Sequence, residues 1–389
     1  MRRLWLLFAQ TVTVLLALYF VYTAVGRREQ PAPVRVQQLG SVEHPAPMLE
    51  AGPSKPPLSA GGSYRAAAAR AMPAVVNIIT SKKPRRGQHP LLRDPFFKKF
   101  FGDRDRDEDS DDESSLGSGV IVSAQGYILT NNHVVEAADE IEVALADGRK
   151  AAAKLVGTDP ETDLAVIKIN MDKLPVIVLG QPEQAQVGDV VLAIGNPFGV
   201  GQTVTMGIIS ALGRNNLHIN HFENFIQTDA AINFGNSGGA LVDAGGNLLG
   251  INSAIYSQTG GSVGIGFAIP VSTAKSVMEA IIKSGHVVRG WIGVESQEIT
   301  PELAASFGLQ RQSGAIIAGV VRNGPADKGG IKPGDILLSV DGKPVADTNS
   351  MLNLIAQLVP GGKAKMTVLR KNKETTLDIT VGKRPANPK

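Results

Sequence analysis

The sequence contains no cysteine among its 389 residues. Disulfide bonds, thiolate zinc sites and a cysteine nucleophile are therefore excluded. The absence of thiols does not identify the redox compartment of the protein. A chain of this kind would, however, tolerate an oxidising compartment without any risk of mispaired cysteines.

An excess of charge of one sign is also missing, since 39 Lys and Arg against 36 Asp and Glu give a formal net charge of +3. A dedicated nucleic-acid-binding protein usually carries a strongly basic face or stripe, so we expect no nucleic-acid partner. The 43 glycines and 23 prolines indicate many turns, which is typical of all-β folds. The length allows two folded domains.

Residues 4–25 form an apolar stretch without a charged residue. As a helix it would span the roughly 30 Å hydrocarbon layer of a membrane. Arg2 and Arg3 precede it, which favours a cytoplasmic N-terminus and places the rest of the chain on the other side. A cleaved signal peptide is the alternative, but its apolar region is usually only about 7–15 residues long. We predict an uncleaved transmembrane anchor.

Residues 26–63 are rich in Pro, Gly and Ser and have no sustained apolar period, so they predict a flexible linker. A second unusual segment, residues 81–115, predicts a long mobile loop. It combines basic residues, a patch with Phe96, Phe97, Phe100 and Phe101, and an acidic run over 103–113. The simplest interpretation of the acidic run is a loop exposed to solvent. Docking of the aromatic patch on another surface is a hypothesis, since four exposed phenylalanines would be costly.

Between residues 117 and 270, short β-rich runs alternate with turn signals, which predicts a β-barrel or sandwich. Helices are predicted at 64–72, where Pro73 ends the pattern, and at 272–283, with Ser272 as N-cap and Gly285 past the end. Residues 290–381 mix strands with two short helices, at 301–307 and 348–358. The length of this segment is suitable for one compact α+β domain.

Three residues in separate motifs are candidates for nucleophilic catalysis. Ser237 lies in the glycine-flanked run GNSGG, where a tight turn can present a hydroxyl and free backbone N–H groups. His133 lies in TNNHVV and Asp163 opens the apolar run LAVIKI. The order His, Asp, Ser occurs in one of the known Ser-His-Asp arrangements. Asp159 and Glu161 are weaker candidates for the acid.

Other readings of the polar residues stay open at this point. A single histidine is often a core residue whose ring nitrogens are hydrogen-bonded and that has no catalytic role. The run GNSGG alone could be an ordinary turn. His218, His221 and Glu223 could suggest a metal site, but they lack an HExxH pattern, and we expect them to face solvent.

Six segments resemble the HtrA (Deg) family of trypsin-like serine proteases, in family order and spacing: LTNNHVV, TDLAVIKI, AIGNPFG, TVTMGIISALGR, IQTDAAINFGNSGGALVD and GIGFAIP. The stretch from RGWIGV to GKPV resembles a PDZ domain. The arrangement of one anchor, one protease domain and one PDZ domain is most similar to that of the membrane-anchored DegS and AlgW branch. The resemblance implies a mainly β fold: a chymotrypsin-like double β-barrel over 64–286, then an α+β PDZ domain over 287–385.

The resemblance also assigns roles in catalysis. Ser237 is the nucleophile, His133 the general base, and Asp163 the residue that orients the imidazole. Backbone N–H groups of the Gly235–Asn236–Ser237 segment form the oxyanion hole, provided that the Phe234–Gly235 peptide points the right way. No metal and no cofactor are expected.

Substrate and ligand contacts are implied in the same way. Phe267, Ala268 and Ile269 resemble the strand that pairs with an extended substrate backbone. Ala231, six residues before the nucleophile, lies where the base of the specificity pocket is expected; without a carboxylate there, cleavage should follow small aliphatic residues. Arg214 is expected to help relay activation, or else to be an ordinary surface arginine. The peptide-binding loop of the PDZ domain corresponds to Trp291, Ile292, Gly293 and Val294, although Trp291 could equally be a core residue.

The functional expectation is an ATP-independent serine endopeptidase of the periplasm, anchored in the inner membrane and regulated through its PDZ domain. Its partners would be unfolded or mislocalised envelope proteins, or a regulatory anti-sigma factor, together with peptide C-termini. A homotrimer built through the N-terminal part of the protease domain is implied. The alternative is a holdase chaperone or scaffold with little proteolytic activity.

Overall fold

The computed structural model describes residues 49–50, 63–81, 115–136, 138–196, 201–217, 219–255, 261–306 and 313–385. The predicted anchor at 4–25 and residues 82–114 of the predicted loop lie outside these ranges. Within the described ranges, no helix combines the length and the apolar character needed to cross a membrane.

Six strands close into a first barrel in the order β2-β3-β4-β7-β6-β5. They are β2 (Val75–Ser81), β3 (Ser115–Ile121), β4 (Tyr127–Asn131), β5 (Glu140–Ala144), β6 (Lys150–Asp159) and β7 (Leu164–Ile169). In β5, Ile141 and Val143 are buried while Glu140 and Glu142 are exposed, the alternation of a half-buried strand. β7 is apolar on both faces, because Ala165, Ile167 and Ile169 fill this barrel while Leu164 and Val166 join the larger core beside it.

A second barrel follows. It contains β9 (Val190–Gly195), β10 (Thr203–Arg214), β11 (Phe225–Thr228), β12 (Ala240–Asp243), β13 (Leu248–Ile255) and β14 (Gly266–Pro270). Adjacent strands pair in the order β13-β12-β9-β10-β11-β14, and an additional β13–β14 pairing closes the ring. Buried aliphatic residues such as Val191, Ile209, Ile226 and Leu241 fill it. The predicted double β-barrel is confirmed.

A short strand from the predicted linker joins the second sheet. β1 (Leu49–Glu50) pairs in parallel with β8 (Val178–Leu179), which in turn pairs with β13. The prediction of a flexible linker is therefore wrong for these two residues, because their backbone is paired with the sheet of the second barrel.

The described part of the two-barrel domain contains three α-helices: α1 (Arg65–Ala71), α2 (Asn132–Val135) and α3 (Val271–Ser284). α3 ends as predicted, with Gly285 in the left-handed region at a φ of 75°. Its beginning differs, since Pro270 occupies the N-cap position and no side chain caps the helix. The prediction of Ser272 as N-cap is wrong. Ser272 lies inside the first turn, and its carbonyl accepts the Ser276 hydroxyl at 3.0 Å.

The second domain, where a PDZ domain is predicted, is a sheet in the order β16-β17-β18-β20-β21, flanked by helices. The strands are β15 (Gly290–Trp291), β16 (Val294–Gln297), β17 (Ala315–Val320), β18 (Ile336–Val340), β19 (Lys343–Pro344), β20 (Lys363–Arg370), β21 (Lys373–Thr380) and β22 (Gly382–Lys383). The helices are α4 (Pro301–Ser306), α5 (Pro325–Lys328) and α6 (Thr348–Ala356). The two predicted helices are confirmed as α4 and α6, and the one-turn α5 was not predicted. β15 and β22 pair antiparallel and bring the two ends of the domain together.

Candidate active site

His133 and Asp163 are brought together by two neighbouring strands of the first barrel. Strands β4 and β7 are antiparallel, with Asn131 opposite Leu164, so the residues that follow β4 and precede β7 meet. The Nδ1 atom of His133 lies 2.7 Å from Oδ2 of Asp163. The backbone N–H of His133 donates to Oδ1 of the same carboxylate at 3.0 Å. Both carboxylate oxygens thus hold the histidine, one through the ring and one through the main chain.

Asp163 itself has an unusual backbone, with a φ of 57° in the left-handed region. Aspartate is one of the few side chains found there repeatedly, because its short polar group can bond locally. Its carbonyl oxygen accepts from the side chain of Asn131 at 2.9 Å and from the N–H of Asn132 at 3.1 Å. These bonds compensate for the strained conformation and fix the direction of the carboxylate.

Ser237 lies at the end of the loop before β12 and is 5% exposed. Its hydroxyl donates to the carbonyl oxygen of Ser253 at 3.2 Å. The hydroxyl of Ser253 in turn donates to Oδ2 of Asp163 at 3.2 Å. Ser253 therefore contacts both the serine and the aspartate. Sequence reasoning missed it, because one hydroxyl within the strand run NLLGINSAI carries no motif of its own.

The loop before Ser237 is a tight turn that depends on glycine. The N–H of Asn236 donates to the carbonyl of Asn233 at 3.0 Å, and Gly235 has a φ of 89°. A glycine with positive φ at the third position of a four-residue turn sets the direction of the central peptide, here Phe234–Gly235. Because the N–H of Asn236 is used inside the turn, the prediction that counted Asn236 among the oxyanion donors is wrong.

The first barrel braces this loop through Ser118. Its hydroxyl donates to the Gly235 carbonyl at 2.7 Å and accepts from the N–H of Asn196 at 2.8 Å. Its N–H donates to the carbonyl of Ser237 at 2.8 Å. Gly238, with a φ of 82°, passes so close that a Cβ would lie 2.1 Å from the Ser118 carbonyl oxygen. Only glycine fits at this point, which explains part of the GNSGG pattern.

Ser237, Asp163 and His133 are thus linked through Ser253, and comparison with known proteins gives the family. Residues 117–251 match the model of the trypsin-like peptidase domain, and residues 290–381 match that of the PDZ domain. The structure resembles that of the HtrA-type protease AlgW with tripeptide, with a TM-score of 0.73, 53% identity, and coverage of 84% of this chain and 98% of that one. It also resembles the serine endoprotease from Yersinia pestis, with a TM-score of 0.60, 40% identity, and coverage of 83% and 98%.

Relatives by sequence agree with this likeness. The chain is 47% identical over 335 residues to a probable periplasmic serine endoprotease, DegP-like, of Pseudomonas putida (strain GB-1), covering 81% of this chain and 69% of the relative. A protein of the same description from Chlamydia trachomatis is 45% identical, covering 82% and 67%. The chain belongs to the HtrA family of serine endoproteases.

One expected substrate contact of an HtrA protease is not where the sequence suggested. β14 carries Phe267, Ala268 and Ile269, and it is paired on both edges, with β11 on one side and β13 on the other. The three side chains are buried. The prediction that this strand pairs with the substrate backbone is therefore wrong, because its main-chain edges are already used to close the second barrel. Ala231 is half-buried, and its carbonyl accepts the Thr205 hydroxyl at 2.8 Å.

Other polar residues are placed outside the pair formed by His133 and Asp163. Asp159 and Glu161, the weaker candidates for the acid, bind arginines instead. His221 is exposed, as expected, and His218 lies outside the described residues. Glu223 was also expected to face solvent, which is wrong. It is 4% exposed, and its carboxylate accepts from three backbone N–H groups, those of Leu217, Ile219 and Asn220.

Arg214 ends β10 on the surface of the protease domain. Its side chain is exposed, and its Nε donates to Oε1 of Gln227 on the neighbouring strand β11 at 2.7 Å. Two residues further on, Asn216 accepts from the side chain of Asn349 in α6 at 2.6 Å. The segment that carries Arg214 therefore contacts a helix of the PDZ domain.

The predicted peptide-binding loop of the PDZ domain runs from β15 to β16. The carbonyls of Ile292 and Gly293 accept from the N–H groups of Ala326 and Val321 at 2.8 and 2.9 Å, and Gly293 has a φ of 75°. Trp291 is half-buried, whereas Ile292 is in the core. Val294 opens β16, which pairs only with β17 among the described strands and so leaves one edge of the sheet unpaired.

Proposed function

We propose that this chain is an ATP-independent periplasmic endopeptidase in which Ser237 attacks the scissile carbonyl. His133 takes the hydroxyl proton and returns it to the leaving amine, while Asp163 orients the imidazole and stabilises its charged form. The observation that carries the proposal is the bidentate hold of Asp163 on His133, at 2.7 and 3.0 Å. Ser253 supports it, since it contacts both Asp163 and Ser237.

The reaction requires a small rearrangement of the nucleophile. In the conformation described, the Ser237 hydroxyl donates to the Ser253 carbonyl. In the proposed mechanism, activation requires this hydroxyl to turn from the Ser253 carbonyl to the imidazole of His133. The N–H groups of Gly235 and Ser237 are proposed to hold the oxyanion. Their support is the glycine turn braced by Ser118, since a preorganised donor costs no reorganisation during the reaction.

We propose that an extended substrate pairs with the segment 253–255 of β13. The pairing of β13 with β12 ends at Ile251, so the chain beyond it has one edge free of β12, next to the nucleophile. The same mode of binding by strand addition is common in peptide recognition. Cleavage after Val, Ala or similar residues is proposed, because Ala231 supplies no carboxylate for a lysine or arginine.

The PDZ domain is proposed to capture peptide C-termini and to control activity. The backbone N–H groups of the loop 291–294 would hold the terminal carboxylate, and the unpaired edge of β16 would accept the peptide as an extra strand. A peptide that favours the competent protease raises the active fraction in proportion to its differential affinity. The contact between Asn216 and Asn349 supports a route through the segment that carries Arg214.

Membrane attachment and assembly complete the proposal. The apolar stretch 4–25 would anchor the enzyme in the inner membrane, with both domains in the periplasm, and three chains would assemble through the N-terminal part of the protease domain. The substrates would be misfolded envelope proteins or a membrane-bound anti-sigma factor. Hydrolysis of denatured casein without any added peptide separates the two, since a strictly regulatory enzyme would need the peptide.

A holdase or scaffold is the competing function. Full retention of peptide hydrolysis by Ser237→Ala would overturn the proposed mechanism. Complete loss of hydrolysis in Ser237→Ala, with unchanged peptide binding and thermal unfolding, supports it. A wild-type protein that suppresses aggregation but hydrolyses no peptide would favour the holdase.

A further inference from the structure

Both ends of the PDZ domain return to the same place on the protease domain. Arg289 lies immediately before β15 and Arg384 immediately after β22. The two strands pair, with Gly290 opposite Lys383, and the N–H of Arg384 donates to the carbonyl of Arg289 at 2.9 Å. The two arginines are therefore fixed side by side, although 94 residues lie between them along the chain.

Both arginines bind acidic residues of one turn of the protease domain. Nη1 of Arg289 donates to Oδ1 of Asp159 at 2.7 Å, and its Nη2 donates to Oδ2, which makes a bidentate pair. The carboxylate of Glu161 is shared, with Oε2 at 3.3 Å from Nη1 of Arg289 and Oε1 at 2.6 Å from Nε of Arg384. The two arginine side chains are 10% and 11% exposed, so water screens these pairs weakly.

Phe222 completes the cluster. The guanidinium carbons of Arg289 and Arg384 lie 4.4 and 5.3 Å from the centre of its ring, within the range of cation–π attraction. The N–H of Phe222 donates to the carbonyl of Glu161 at 3.1 Å. The ring thus keeps both guanidinium groups against the turn, and its own backbone is bound to the same turn.

The turn concerned, residues 159–163, ends at the residue that holds His133. The N–H of Thr162 donates to the Asp159 carbonyl at 3.2 Å, and the N–H of Asp163 donates to the Pro160 carbonyl at 3.3 Å. Asp163 leaves the turn in the left-handed region, which an aspartate adopts only at a cost in free energy. The surroundings of the turn therefore have to hold it in place, and the two arginines do so through ion pairs to Asp159 and Glu161.

We propose that Arg384 is a positioning residue for Asp163. It acts through Glu161, together with Arg289 and Phe222, and holds the turn 159–163 in the conformation that aims the Asp163 carboxylate at His133. The inference rests on the proposed catalytic role of Asp163. It connects the end of the PDZ domain to the Asp163 carboxylate through Glu161, separately from any peptide bound in the domain.

The test compares full-length variants on one peptide substrate. Arg384→Gln removes the charge, and Arg384→Lys keeps the charge but loses the planar fork. Lys383→Gln, on the neighbouring exposed residue, is the matched control. For each variant we measure kcat per active site titrated with a fluorophosphonate, KM, and the midpoint of thermal unfolding. Asp163→Asn is measured in parallel to test the proposed function itself.

For Arg384→Gln we expect kcat per titrated site to fall about tenfold, below the ~100-fold loss that a 1 Å misplacement can cause. KM and the unfolding midpoint should stay near their wild-type values, Arg384→Lys should be intermediate, and Lys383→Gln should match the wild type. The loss in Glu161→Gln/Arg384→Gln should be smaller than the product of the two single losses, because both break one ion pair.

A purely structural role for Arg384 would lower the unfolding midpoint and the number of titratable sites while leaving kcat per site unchanged. That result, or a wild-type kcat in Arg384→Gln, overturns the inference. If Asp163→Asn abolishes turnover in the same experiment, the proposed function survives and only the positioning role fails. If Asp163→Asn keeps the wild-type kcat, the proposed function fails, and the inference fails with it.

Discussion

Ser253 donates its hydroxyl to Oδ2 of Asp163 at 3.2 Å, the same carboxylate oxygen that lies 2.7 Å from Nδ1 of His133. A carboxylate oxygen with two donors keeps its direction better than one with a single donor, and in the proposed mechanism the imidazolium of His133 depends on that direction. Ser253 is therefore part of the support of Asp163, in addition to offering its carbonyl to Ser237.

The first prediction concerns this contact. A hydrogen bond to a charged group contributes about 1.5–3 kcal/mol, so Ser253→Ala should lower kcat roughly 10- to 100-fold if the bond is needed in the transition state. KM should change much less, because the proposed pairing of the substrate uses the Ser253 backbone and not its hydroxyl. Ser276→Ala, which removes an exposed hydroxyl from α3, is the control. Equal kcat values for the two variants would contradict the prediction.

The second prediction concerns the glycine after the nucleophile. Gly238→Ala places a Cβ 2.1 Å from the Ser118 carbonyl oxygen, in addition to the cost of a φ of 82°. Gly148 has a similar φ of 87° but no atom within 4 Å of a Cβ, so Gly148→Ala isolates the backbone cost, about 1–2 kcal/mol. Gly238→Ala should be less stable than this control and should lose activity. Thermal unfolding and peptide hydrolysis measure both effects. Identical unfolding midpoints for Gly238→Ala and Gly148→Ala, with full activity, would contradict the prediction and show that the loop can shift to accommodate the added methyl group.

The third prediction concerns the buried charge in the PDZ domain. Asp335 is 1% exposed and binds Arg370 through both carboxylate oxygens, at 2.7 and 2.6 Å. This contact raises the pKa of Arg370 above its already high ordinary value. A raised pKa preserves the stabilising charge until the pH passes that value, so the pair should persist throughout the range in which the enzyme works.

Arg370→Ala leaves the buried Asp335 carboxylate without its ion-pair partner, with the N–H of Lys332 still donating to Oδ2. Breaking a buried pair costs about 3–5 kcal/mol, and we expect less here, about 1–3 kcal/mol, because the Arg370 side chain is 29% exposed. Urea unfolding of the full chain measures the loss. Arg322→Ala, on an exposed arginine of the same domain, should change stability little. Equal stability of the two variants would contradict the assignment.

The fourth prediction concerns the ligand of the PDZ domain. A peptide with a free C-terminal carboxylate and a hydrophobic last residue should bind, and the same peptide amidated should not, because the loop 291–294 is proposed to bind the terminal charge. Fluorescence anisotropy with labelled peptides measures both affinities. Similar affinity for the two forms would show that the edge of β16 binds peptides without using their terminus.

Much of the site could be predicted from the sequence because it lies in local motifs. His133 and Asp163 each follow or precede a strand whose apolar pattern is clear, and the glycines around Ser237 are required by a turn with positive φ. Such features depend on a few neighbouring residues, so they can be interpreted without knowing the rest of the fold.

The misplaced residues depend on contacts between distant parts of the chain. Whether Phe267 and Ile269 lie on a free edge is decided by closure of the second barrel, which no local pattern reports. Glu223 resembles a solvated loop acid in sequence, and only the folded loop surrounds it with N–H groups. Ser272 was a reasonable cap by composition, but the strand before α3 runs to Pro270 and leaves no room for a capping residue.

The most direct test of the account is covalent labelling of the full-length protein with a fluorophosphonate, followed by mass spectrometry of its peptides. The account predicts one adduct, on the peptide containing Ser237, with labelling abolished in Ser237→Ala and strongly slowed in His133→Ala. An active wild-type enzyme that forms no adduct at Ser237, or that is labelled equally fast without His133, would contradict it.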